Sequence, residues 1–184
     1  MENAKKLPRS QKACIMDAQA MSRAVTRISH EIIEKNKGAQ GITLVGVRRR
    51  GYYLAERIGQ CIKGIEGVRP DVLGIDIRFY RDDAQRTGEP VVSNDDMSAL
   101  QNGAKIVLID DVICTGRTVR AAIEAIFSHV RPQCVQLAVL VDRGLRELPF
   151  RPDFVGKNIP TSHAERVHVS VCELDGEDLV VITE

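Results

Sequence analysis

The stretch at residues 105–126, KIVLIDDVICTGRTVRAAIEAI, limits the folds open to this chain more than any other. It opens on an apolar, β-branched run (Ile106, Val107, Leu108, Ile109) and passes through two adjacent carboxylates. It then crosses Thr115-Gly116-Arg117-Thr118 and becomes an Ala-rich segment with Val119, Ile123 and Ile126 at helical spacing. The pattern predicts a buried strand, a loop and a helix. A loop entering a helix N-terminus offers unpaired backbone N–H groups and the positive end of the helix dipole, and Gly116 lets the backbone come close to an anion. Thr115 and Thr118 add hydroxyl donors. Asp110 and Asp111, at the carboxyl end of the strand, can accept hydrogen bonds from vicinal hydroxyls or stand near a Mg²⁺ held by substrate oxygens. One crevice could thus read a 5-phosphate and a ribose together. Piece by piece, the same residues also suit a plain strand end and a Thr-capped helix.

A chain of 184 residues, 43% hydrophobic and 28% charged, has the material for one soluble globular domain. Its net charge of +1 excludes wholesale polyanion binding, so any nucleic-acid surface must come from local clusters of Lys and Arg. The five cysteines (Cys14, Cys61, Cys114, Cys134, Cys172) are odd in number and widely spaced, with no CxxC pair and no zinc pattern, which points to a reduced, cytoplasmic setting. No apolar segment follows Lys5, Lys6 and Arg9, and no run approaches membrane-spanning length, so neither secretion nor membrane insertion is expected.

Residues 1–12 are polar and expected to be poorly ordered. Over residues 17–37, Met21, Val25, Ile28 and Ile32 recur at helical spacing while Arg23, Arg27 and His30 fall on the opposite side, so one face packs and the other is basic. Gly38 is expected to end that helix. Residues 42–47 form the next apolar run, followed at once by Arg48-Arg49-Arg50-Gly51 and a helical pattern through Leu54, Ile58 and Ile62. Consecutive arginines at a strand's carboxyl end, where parallel sheets place ligands, suit a pyrophosphate; a solvated charge run is the alternative. Residues 72–80 alternate as a strand, and the polar residues 82–104 have the composition of a lid. Residues 134–141 predict another buried strand, ending in Asp142-Arg143-Gly144. Residues 146–162, with Pro149, Pro152 and Pro160, predict an irregular stretch of a hood spanning about 142–170, and the runs at 167–171 and 179–183 are expected to complete the sheet. There is no repeat and no sign of a second domain.

An apolar strand, Asp-Asp and Thr-Gly-X-Thr at this spacing resembles the signature of the type I phosphoribosyltransferases, which bind 5-phosphoribosyl-1-pyrophosphate. Four further segments carry the resemblance beyond that motif: LVGVRRRGYYLAERI, DIRFYRDD, QLAVLVDRGLRELPFRPDFVGKNIPTS and, nearer the N-terminus, TRISHEIIEKNKG. Together they resemble the PyrR family of pyrimidine-operon attenuation regulators, which are also uracil phosphoribosyltransferases. The likeness runs from about Asp17 to the C-terminus, and LVDRG…ELP…DFVGKNIPTS is its specific part.

The resemblance implies an α/β fold, a parallel sheet flanked by helices with a small hood. It implies conversion of uracil and phosphoribosyl pyrophosphate to UMP and pyrophosphate, with Mg²⁺ bound through the substrate rather than by protein alone. Carried onto this chain, Asp110 and Asp111 face the ribose hydroxyls as the catalytic carboxylates. Thr115, Gly116, Arg117 and Thr118 hold the 5-phosphate, and Val112, Ile113 and Cys114 before them belong to the same phosphoribosyl pyrophosphate and nucleotide site. Arg49 and Arg50 contact pyrophosphate, Arg81 approaches from the lid strand, and Asp142, Arg143 and Val167 receive the base. The same resemblance places leader-RNA contacts on Thr26, Arg27, His30, Arg146, Arg151 and Lys157, sensitive to UMP or UTP, in a protein that forms a dimer or larger homo-oligomer.

Two departures matter. Cys114 stands where purine-using relatives resemble one another in having an acid for the base, which favours a pyrimidine. Leu145 stands where His is expected. A phosphoribosyltransferase for a purine or another base, without RNA binding, is the alternative function.

Overall fold

The computed structural model describes residues 11–77, 80 and 99–184. The elements in chain order are β1 (Gln11–Met16), α1 (Ala18–Asn36), β2 (Ile42–Val47), α2 (Arg50–Glu66), β3 (Asp71–Ile75), β4 (Lys105–Ile113), α3 (Arg117–His129), β5 (Cys134–Asp142), β6 (Phe154–Asn158), β7 (Arg166–Ser170), α4 (Cys172–Asp175) and β8 (Leu179–Thr183). Strands β3-β2-β4-β5-β6 form one five-stranded sheet in that order, every neighbouring pair parallel. No helix among the described residues is long and apolar enough to cross a membrane.

The central run is apolar without interruption because β4 is covered on both faces, as a buried parallel strand must be. Side chains alternate across the pleat. Val107 and Ile109 join the core cluster formed with α1 and α2, while Ile106 and Leu108 join the cluster formed with α3. On β5, Ala138 and Leu140 face the first cluster and Leu137 and Val139 the second. Helix α1 follows the predicted pattern: Met21, Val25, Ile28 and Ile32 are buried, and Asp17 caps the N-terminus by accepting from Ala20 N–H at 2.7 Å. Its end differs by one residue. Lys37, not Gly38, takes the first left-handed position (φ 59°), and the N–H groups of Lys37 and Gly38 close onto Glu34 and Ile33 carbonyls in a Schellman turn.

Four other expectations are corrected. The runs at 167–171 and 179–183 do not extend the main sheet. β7 and β8 pair antiparallel with β1 in a separate sheet of order β1-β8-β7, whose Met16, Val169, Val180 and Ile182 close over the first core cluster. That sheet also recruits Gln11 and Lys12, expected to be poorly ordered. Lys12 bonds Glu165 at 2.7 Å and lies 3.1 Å from Glu184. Residues 146–162 are not all irregular, because β6 lies within them and forms the sheet's outer strand. Gly156 allows it, since a Cβ there would collide with the Leu140 carbonyl. The strand expected over residues 72–80 spans Asp71–Ile75, and Tyr80 N–H turns back onto the Ile77 carbonyl at 2.9 Å. Most of the expected lid, and Arg81, lie outside the described residues; of the lid's end, Leu100 is buried in the α3-side core.

Candidate active site at the carboxyl ends of β2 and β4

The strand order reverses direction between β2 and β4. The chain leaves β2 toward β3 on one side and leaves β4 toward β5 on the other, which opens a crevice at their carboxyl ends. Two glycines close the approach of α2 to that crevice. Gly46 on β2 lies in register with Ile109 on β4, and a Cβ on it would collide with the Tyr52 backbone. A Cβ on Gly51 would stand 2.5 Å from the Ile109 carbonyl oxygen and 3.3 Å from Asp110 Cα. With neither side chain present, the first turn of α2 lies directly on the strand ends. Arg48, Arg49 and Arg50 then share a cavity of about 440 Å³ with Asp76, Asp110, Asp111, Val112 and Thr118. Arg48 donates its backbone N–H to the Ile75 carbonyl at 2.9 Å and sets its guanidinium 5.7 Å from the Tyr52 ring centroid; its peptide bond to Arg49 is cis.

The two carboxylates are fixed by their own backbone. Asp110 is buried, and its Oδ1 accepts from Asp111 N–H at 2.9 Å; Asp111 Oδ1 accepts from Val112 N–H at 2.9 Å. Burial pushes the Asp111 carboxyl above the usual carboxylate range, opposed by the Asp110 side chain, by Val112 N–H and by the charge of Arg50. An under-solvated carboxylate of this kind gains most from hydroxyl donors or a cation arriving with a ligand. Among the described residues no three His, Cys, Asp or Glu side chains converge as a metal-ligand set. Asp76, Asp110 and Asp111 are the carboxylates lining the cavity, a donor set that fits a Mg²⁺ keeping most of its shell from other oxygens.

The turn into α3 is held from behind. The Thr115 carbonyl accepts from Glu147 N–H at 3.0 Å and Leu148 N–H at 2.9 Å, while Thr115 Oγ1 accepts from Arg117 N–H at 3.3 Å. Gly116 is left-handed (φ 92°), and a Cβ there would meet the Phe150 ring at 3.1 Å. Arg117 pairs with Glu147 at 2.8 Å. The turn from Gly116 to Thr118 thus opens a thirteen-residue helix, whose N-terminus favours an anion. Ile113 belongs to β4. Its side chain is buried in the core and its carbonyl accepts from Arg143 N–H at 3.2 Å, which leaves no side-chain contact for a ligand.

Beyond β5 a second cavity, about 350 Å³, is lined by Asp142, Arg143, Gly144, Leu145, Asn158, Pro160 and Thr161. Arg143 shapes its wall by donating to Thr161 Oγ1 at 2.9 Å and to the Ser162 and Glu165 carbonyls at 3.0 and 2.7 Å. Asp142 accepts from Gly144 N–H at 2.9 Å and from Arg146 Nη2 at 2.6 Å. Val167 lies on β7, packed against the first core cluster, and is not among the residues lining this cavity.

The expected RNA face divides. Thr26, Arg27 and His30 are exposed along α1. Arg27 reaches over β6, donating to the Val155 and Gly156 carbonyls at 3.0 and 2.6 Å and pairing with Glu31 at 2.6 Å, so it stands next to Lys157. Lys157 donates to the Ile15 carbonyl at 3.0 Å, and Arg151 is exposed. Arg146 turns inward, with bonds to Cys114, Gly144 and Phe150 carbonyls and to Asp142. Sequence reasoning passed over Asp76 and Asn158, and took Arg48 only with its neighbours. Arg48 was visible in the arginine run, whereas Asp76 and Asn158 follow or end strands whose limits the pattern left open.

Comparison with known proteins agrees with this geometry. Residues 13–174 match the phosphoribosyl transferase domain family. The chain is 53% identical over 175 residues to the bifunctional protein PyrR of Clostridioides difficile, covering 95% of this chain and 99% of that one. It is 55% identical over 171 residues to the bifunctional protein PyrR of Caldicellulosiruptor bescii, covering 92% and 94%. Among solved structures it resembles the Trypanosoma cruzi hypoxanthine phosphoribosyl transferase, with a TM-score of 0.72 at 16% identity over 97% of this chain and 94% of the other. That last likeness concerns the fold alone.

Proposed function

The chain belongs to the phosphoribosyl transferase family, among the bifunctional PyrR proteins, and from that premise we propose how its residues divide two tasks. One is transfer of the 5-phosphoribosyl group from phosphoribosyl pyrophosphate to uracil, giving UMP and pyrophosphate. The other is attenuation of pyrimidine biosynthesis, by uridine-nucleotide-dependent binding of an operon's leader RNA. The observation that carries the first task is the meeting of Arg48, Arg49 and Arg50 with Asp110, Asp111 and Thr118 around one cavity.

Breaking the anomeric bond puts positive charge on the ribose and negative charge on the departing pyrophosphate. Fixed cations belong at the leaving group and carboxylates at the sugar, and both kinds of group line this one cavity. The amides of Gly116 to Thr118 take the 5-phosphate, the arginines of the β2–α2 turn take pyrophosphate, and Asp110 and Asp111 hold the ribose hydroxyls. Mg²⁺, when bound, supplies further neutralisation of pyrophosphate charge. The base enters the cavity of Asp142 and Arg143, where backbone groups and the Asn158 amide offer both donors and acceptors to a pyrimidine edge. Cys114, with a half-buried thiol, offers no acid to a purine.

The RNA surface runs along Thr26, Arg27 and His30 to Lys157 and Arg151, and homo-oligomerisation would bring two such faces together. UMP synthesis from labelled uracil, phosphoribosyl pyrophosphate and Mg²⁺ tests the first task. RNA affinity across a salt series, with and without UMP, tests the second. By linkage, a UMP-induced change in RNA affinity requires an equal change in UMP affinity on RNA binding; no UMP effect would separate the two tasks.

A further inference from the structure

One arginine of the crevice, Arg50, is gripped from a part of the fold outside the main sheet. Arg50 makes a two-pronged contact with Asp175, Nε to Oδ2 at 3.3 Å and Nη2 to Oδ1 at 3.0 Å. Asp175 is itself fixed, because its Oδ2 accepts from Val171 N–H at 3.0 Å and its own N–H bonds the Val171 carbonyl at 2.8 Å. The turn carrying Asp175 is anchored a second time on the same helix. Arg57, seven residues and so about two turns beyond Arg50, bonds Glu173 at 2.6 Å and Asp178 at 2.7 Å. An acidic turn between β7 and β8 thus clamps two arginines on one face of α2.

A guanidinium carries its five N–H groups in a planar fork, so a carboxylate on the Nε/Nη2 edge fixes the direction in which the Nη1 side points. We infer that Asp175 is a positioning residue that holds Arg50 by one edge so that the other edge meets pyrophosphate. This deepens the proposed function and rests on it. It gives the small antiparallel sheet a part in the reaction that the central motif alone would not suggest.

The test compares full-length wild type with Asp175→Asn, Asp175→Glu and Glu173→Gln. The last variant loosens the same turn on Arg57 and leaves Arg50 alone. Calorimetry with Mg²⁺-pyrophosphate and with UMP reads the two halves of the site separately, alongside KM for phosphoribosyl pyrophosphate and for uracil. Asp175→Asn should weaken pyrophosphate binding and raise KM for phosphoribosyl pyrophosphate about five- to tenfold, as for one charge-assisted contact made less well. UMP affinity should stay unchanged, Asp175→Glu should recover part of the loss, and Glu173→Gln should lower Tm without moving pyrophosphate affinity. Three results would overturn the inference: unchanged or tighter pyrophosphate binding in Asp175→Asn, equal weakening for UMP, or the same weakening in Glu173→Gln. Wild type that binds pyrophosphate but makes no UMP would sink the catalytic reading and leave the inference to be judged on binding; wild type that does not bind pyrophosphate would sink both.

Discussion

Arg146 donates from Nη1 to the carbonyl of Cys114 at 3.0 Å and so fastens the loop after β5 to the loop after β4. The same guanidinium bonds the Gly144 and Phe150 carbonyls at 3.0 and 2.9 Å and the Asp142 carboxylate at 2.6 Å. Phosphate turn and base cavity therefore share one brace. Arg146→Ala strands a half-buried carboxylate and three carbonyls, and should cost about 2–3 kcal/mol of stability. UMP affinity should fall with it. Chemical denaturation and calorimetry check both; lost RNA affinity with unchanged stability and unchanged UMP binding would make Arg146 an RNA contact instead.

Asp111→Asn should lower kcat/KM at least about tenfold, on the order of 1.4 kcal/mol of transition-state stabilisation. The fold should not suffer. Because burial raises the Asp111 carboxyl, the ionised form destabilises the folded protein above that raised value, and the penalty fades as pH falls through it. The Tm of the Asn variant relative to wild type should therefore rise from acidic to neutral pH. Wild-type kinetics in a folded variant would remove this carboxylate from the mechanism.

Gly51→Ala should disturb stability and ligand binding together. The new methyl would stand 2.5 Å from the Ile109 carbonyl, so the first turn of α2 must lift off the strand ends. A cost of about 1–3 kcal/mol is expected, with weaker pyrophosphate binding because Arg48 to Arg50 move with the turn. Gly64→Ala, where nothing lies within 4 Å, is the control and should not weaken binding.

Arg57→Ala should leave Glu173 and Asp178 without their shared cation. The arginine is 22% exposed, so solvent screening brings the expected loss down to about 1–2 kcal/mol. Hydrogen bonding to Arg57 holds Glu173 below the carboxylate range. Asp178 is also lowered, since Arg57 and Cys172 N–H outweigh the desolvation that would raise it. Depressed carboxyls stabilise the fold above their unfolded values, and that stability is lost as pH falls through the folded ones. The Tm gap between wild type and variant should shrink toward low pH.

The central crevice was legible because its parts are contiguous in sequence. The apolar run, Asp110-Asp111 and the Thr115–Thr118 turn each follow from local chemistry, and the adjacent arginines announce an anion at the end of the next strand. The small sheet was not legible. Short runs such as RVHVS and LVVIT say that strands exist but not which edge they join, since pairing with β1 is decided by closure over Met16, Val169 and Val180. The inward turn of Arg146 and the grip of Asp175 on Arg50 depend on contacts 32 and 125 residues apart. A basic residue inside a brace and one on a surface look alike in a sequence.

UMP synthesis requires a pyrimidine to meet the sugar-phosphate crevice, and a base competition tests that most directly. Uracil, hypoxanthine, guanine and orotate at equal concentration, with limiting phosphoribosyl pyrophosphate and Mg²⁺, should yield UMP as the dominant nucleotide, and no product when phosphoribosyl pyrophosphate is omitted. Inosine or guanosine monophosphate formed faster than UMP would contradict it.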